Sequence, residues 1–131
     1  MAVGLAFPIL AAAMRWPVRR LDADRRGWHP VTQTADGLND PVLSVVPQGA
    51  SGYEDRPWTV LPPPAATVSA KTVLSYSSTG DVAAARFGPQ AIGLAFHPVA
   101  TDGRPPNAVP AGILTRFVAL TTATKPCSAS R

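Results

Sequence analysis

The sequence predicts a mainly β fold: a small single-domain β-barrel or sandwich preceded by an extended N-terminal arm. Three observations carry this. Fifteen prolines are spread through 131 residues, and proline removes a backbone donor and breaks helix interiors, which disfavours a helical bundle. Short runs of β-branched and aromatic residues recur between Gly, Pro, Ser and Asp clusters, the pattern of strands joined by turns. A chain of 13.7 kDa supplies one modest core and hardly two. The expected division is an arm over 1–41, apolar and then Arg-rich, a β-domain over 42–122, and a flexible tail over 123–131.

Taken in order, the opening "MAVGLAFPILAAAM" is apolar but interrupted by Pro8, and it is shorter than the roughly 20 residues of a spanning helix, so no stable membrane span is expected. No basic residue precedes it, which makes it a poor secretory leader despite the small residues near Ala13. "PVLSVVP" at 41–47 is β-branched between two prolines and reads as a short strand, and "WTVL" at 58–61 as another, stopped by Pro62, Pro63 and Pro64. "TVSAKTVLSY", "SSTGD" and "VAAARF" read as strand, turn and strand. Three alanines also suit a helix there, but Pro89 leaves room for only two turns, so strand is favoured. In "AIGLAF", alternation puts Ile92, Leu94 and Phe96 on one face and Ala91, Gly93 and Ala95 on the other. "ILTRFVAL" is expected to be the last core strand, because β-branched and aromatic residues dominate it without a breaker.

Charge and chemistry narrow the function classes. The net charge of +4 comes from ten Arg and two Lys against seven Asp and one Glu, and charged residues are only 15% of the chain. Arg15, Arg19, Arg20, Arg25 and Arg26 crowd one segment that also holds Trp16 and ends at Trp28, with Asp22 and Asp24 in partial opposition. Arginine pairs with phosphate and aromatic rings stack on bases, so a nucleic-acid partner is chemically open, but Arg and Trp are equally the anchors of protein interfaces. The protein interface is favoured. His29 and His97 each precede proline and, with one distant cysteine, Cys127, make a poor metal set. They read as strand-end histidines before a turn. Ser51 in "GASGY" lacks the second glycine of a nucleophile elbow, since Tyr53 stands there. "DADRRG" at 22–27 starts like a calcium loop, but Arg26 and Gln33 fall where oxygen ligands belong. No catalytic residue, cofactor or metal is expected.

Four pieces, Val73–Tyr76, Gly80–Ala84, Gln90–Ala95 and Val109–Leu114, together resemble the small decoration, or cement, proteins of tailed-phage capsids over residues 68–120. The resemblance implies a β-barrel or β-tulip body that braces neighbouring capsid subunits without catalysis. The expected partners are then a major capsid protein or other virion subunits, with homo-oligomerisation, and the expected location is the virion. Arg15, Trp16, Arg19, Arg20, Ala91, Gly93 and Ala95 are the expected interface, the last three because a smooth face permits close approach of another sheet. The alternatives are a secreted or envelope β-domain of binding type, a cytoplasmic location, and a nucleic-acid-binding accessory protein acting through the Arg15–Arg26 cluster.

Overall fold

A computed structural model of the chain describes residues 1–64, 72–101 and 103–123. The elements are β1 (Ala2–Val3), α1 (Ala6–Ala13), β2 (Val18–Gln33), α2 (Ala35–Asn39), a 3₁₀ turn (Leu43–Val45), β3 (Ser51–Val60), β4 (Thr72–Ser77), β5 (Val82–Gly88), β6 (Ala91–Leu94) and α3 (Gly112–Ala123). The fold is mainly β, as the composition requires. β2, β3, β5 and β4 pair antiparallel in a closed ring, and β6 and then β1 continue the sheet outward from β5. β1 is the exception in direction, running parallel to β6 with Ala2 opposite Gly93 and Val3 opposite Leu94.

The "SSTGD" turn closes the β4–β5 hairpin, with Tyr76 opposite Val82 and the Ser77 N–H donating to the Asp81 carbonyl at 2.8 Å. Alternation in β6 has the expected consequence. Ile92, Leu94 and Phe96 enter the main core with Val31, Leu43, Leu74 and Ile113, while Ala95 belongs to a second cluster with Phe7, Ala11, Trp16 and Phe87.

Three expectations differ from the structure. Residues 1–41 form no separate arm but supply β1, α1, β2 and α2. Phe7, Ala11 and Trp16 are buried, and the Trp16 ring meets Phe87 edge-on at 4.9 Å. Pro8 is tolerated because it lies in the first turn of α1, where backbone N–H groups have no helical partner. Helix α1 ends where Arg15 turns left-handed at φ 67, with Arg15 N–H donating to Ala12 and Trp16 N–H to Ala11. That closure brings Trp16 back onto the sheet.

The second difference is at 41–47, a 3₁₀ turn rather than a strand. Asp40 Oδ1 accepts the N–H groups of Val42 at 2.8 Å and Leu43 at 3.1 Å, which caps the turn. The third is "ILTRFVAL", which lies in α3. Ile113 is buried in the main core, and Phe117 and Leu120 pack against it. That spacing of four and then three residues is one helical face. Residues 65–71, which include the start of the expected "TVSAKTVLSY" strand, and the tail from 124 with Cys127 lie outside the described residues.

Candidate functional site at the β1–α1 turn

At Gly4 a positive-φ turn lies close to a chemically useful side chain. Its N–H donates to the Leu94 carbonyl at 3.0 Å, continuing the β1–β6 ladder, and it then adopts φ +63. Leu5 follows in helical conformation and α1 begins at Ala6. The chain therefore passes from a short edge strand into a helix through one sharply bent residue. Glycine reaches positive φ without strain, which accounts for its presence at this corner.

His97 faces the corner. Its backbone N–H donates to the Tyr53 carbonyl at 2.8 Å, pinning the segment after β6 to β3. A Cβ placed on Gly4 would lie 3.1 Å from His97 Cε1 and 3.4 Å from Nε2. The imidazole is partly buried, and among the described residues no hydrogen bond or ion pair holds its ring. Tyr53 lies beside it with ring centroids 6.2 Å apart, Trp28 meets Tyr53 edge-on at 5.5 Å, and the Arg104 guanidinium stands 6.0 Å from the Trp28 ring. An aromatic row thus leads from the corner to a cation. Val99, two residues past His97, is 54% exposed.

The residues singled out from sequence are placed elsewhere. Trp16, Gly93 and Ala95 are internal: a Cβ on Gly93 would lie 2.1 Å from Phe7 Cδ1, so its smooth face is covered by α1 of the same chain. Arg15, Arg19 and Arg20 are exposed, with Arg20 5.9 Å from the Trp58 ring, and Ala91 packs at the edge of the α1 cluster. Arg25 is paired with Asp81 at 3.3 Å and lies 3.7 Å from the buried Glu54, and Arg26 is paired with Asp55 at 3.2 Å. Ser51 Oγ accepts from Asn107 Nδ2 at 3.2 Å in a structural contact. Among the described residues no group of three His, Cys, Asp or Glu side chains is arranged to hold a metal.

Read along the chain, His97 is only a strand end and Gly4 attracts no notice. The available signal is weak: an apolar pair, a glycine, and then an alanine-rich stretch that can start a helix at once.

No family model and no curated protein matches the chain by sequence. Solved structures do match by fold. A protein from Thermoplasma acidophilum, assigned as one of the subunits of GMP synthase, superimposes with a TM-score of 0.73 at 14% identity, over 98% of this chain and 59% of that one. A glutamine amidotransferase from Thermotoga maritima gives 0.60 at 18% identity, over 98% of this chain and 49% of that one. The chain therefore spans about half to three-fifths of the length of these neighbours, and what it shares with them is the fold. This corrects the expectation of a non-catalytic capsid-decorating protein, because the fold is one that enzymes carry and nothing in the likeness points to a virion. The surface of small residues that supported that expectation is consumed by α1.

Proposed function

We propose that the chain forms the histidine-bearing part of an amidotransferase-type catalytic domain, with the β1–α1 corner and His97 as its reaction centre. The ligand class is a carboxamide of the glutamine kind. The observation that carries the reading is the approach of His97 Nε2 to the Cβ direction of a positive-φ residue at a strand-to-helix corner, in a fold shared with a glutamine amidotransferase. Releasing nitrogen from a carboxamide requires a proton to be taken from the attacking group and returned to the departing nitrogen, and histidine is the side chain most often used for both transfers. His97 is positioned for this by its backbone bond to Tyr53 and by the wall that Tyr53 and Trp28 form beside it.

Glutamine titrated into the isotopically labelled chain tests this. The His97 ring resonances and the Gly4 amide are expected to move together over one saturable range, and His97→Gln is expected to weaken that binding. Glutamine that leaves both groups unmoved, or moves them equally in the His97→Gln chain, would remove the proposal.

A further inference from the structure

We infer that residue 4 is the nucleophile position of this centre, left vacant by glycine, and that His97 is the base such a nucleophile would use. The inference deepens the reaction-centre reading above and rests on it for its meaning, but its geometry stands independently. Three features converge on Gly4. It is buried, it bends at φ +63 between an edge strand and a helix, and its absent side chain points at an imidazole. Side-chain nucleophiles of hydrolases sit on such strained strand-to-helix corners, within hydrogen-bond reach of a histidine. A Cβ at residue 4 would be 3.1 Å from His97 Cε1 and 3.4 Å from Nε2, so a side chain there requires the ring to give by a few tenths of an ångström and then places its sulfur or oxygen within reach of that nitrogen.

Among the described residues no other nucleophile stands in for it at this corner. Ser51 is committed to Asn107, and Tyr53, the titratable side chain whose ring packs near His97, stands with its ring centroid 6.2 Å away. No carboxylate pairs with His97 among the described residues. Among the described residues, a thiol introduced at residue 4 therefore meets one strong electrostatic partner, and transfer of its proton to His97 leaves a thiolate beside an imidazolium. Such pairs lower a cysteine well below the ordinary thiol range.

The test has two arms. In the wild-type chain, a nuclear Overhauser contact is expected between a Gly4 α-proton and the His97 Cε1 proton, and its absence overturns the placement whatever any variant does. In a Cys127→Ser background, where the added cysteine is the chain's only thiol, Gly4→Cys is alkylated with iodoacetamide across a pH series. Its half-titration is expected at least about one pH unit below the ~8.5 of a free thiol, returning to about 8.5 when His97→Ala is added. A thiol that titrates as a free one, or that ignores the loss of His97, overturns the inference. Gly4→Ala carries the same Cβ without sulfur and separates backbone strain from chemistry. Glutamine enters neither arm, so a depressed thiol in a chain that ignores glutamine would sink the carboxamide reading and leave this placement standing.

Discussion

At the scale of single residues, two positions carry measurable consequences. The first is Gly93, whose missing side chain makes room for Phe7. Gly93→Ala must push that ring off β6 and is expected to destabilise the fold by about 1–3 kcal/mol, the usual range for overpacking a closed core. Thermal melting of the variant checks it, and an unchanged midpoint would place α1 elsewhere. The second is Asp40. Burial alone would raise its carboxyl, but hydrogen bonds from Arg86 and from the Val42 and Leu43 N–H groups outweigh that effect and hold it below the ordinary 3.8. Arg86 Nε lies 2.5 Å from Oδ2 and Nη2 lies 2.9 Å from Oδ1. A carboxyl lowered on folding contributes stability that is present above its unfolded value and lost as pH falls through the folded one. The chain is therefore expected to weaken below about pH 4. Asp40→Asn should flatten that acid limb and cost about 3 kcal/mol at neutral pH by removing the carboxylate that pairs with Arg86, which keeps only the Gly88 and Pro89 carbonyls, as denaturant titration at several pH values will show. Neither role is visible in a linear reading: "NDP" announces a turn, but its pairing with Arg86 exists only once β5 lies beside it.

At the scale of elements, legibility follows periodicity. The β4–β5 hairpin and the two faces of β6 can be read because alternation, a glycine turn and β-branched residues all agree. Strand β3 is legible only in its last part, since "SGYEDRP" looks like a polar loop. In the structure it carries the Glu54–Arg56 pair, 2.9 Å apart and buried, so those two charges face inward while Asp55 between them faces out. Helix α3 reads as a strand because Ile, Phe and Val weigh towards strand while the spacing of Ile113, Phe117 and Leu120 weighs towards helix, and only contact with the main core decides between them. Helix α1 is hidden for another reason: an all-round apolar run with a proline looks like an arm until something is seen to cover it. Its tertiary role gives the third expectation. Phe7→Ala or Trp16→Ala should each cost about 3–5 kcal/mol, and removing residues 1–17 should abolish cooperative unfolding. A truncated chain that melts as sharply as the intact one would show that α1 is dispensable to the core.

At the scale of the whole molecule, the fold class is legible in the sequence but the site is not, because the site is made from segments far apart in the chain. Gly4 and His97 meet only after β1 has paired in parallel with β6, a long-range pairing that no local pattern announces. The arginine segment, the most conspicuous feature of the sequence, is partly neutralised across the sheet by Glu54, Asp55 and Asp81. The Gly4–His97 corner, on the reading proposed above, is an amidotransferase-type centre lacking its own nucleophile. Covalent capture of a glutamine analogue, bearing an electrophilic carbon in place of the carboxamide carbon, tests this most directly. By mass spectrometry, the Gly4→Cys, Cys127→Ser chain should take up one analogue at residue 4, free glutamine should protect it, and addition of His97→Ala should slow capture by about 100-fold or more. Capture that glutamine does not slow, or that proceeds equally fast without His97, would contradict that reading.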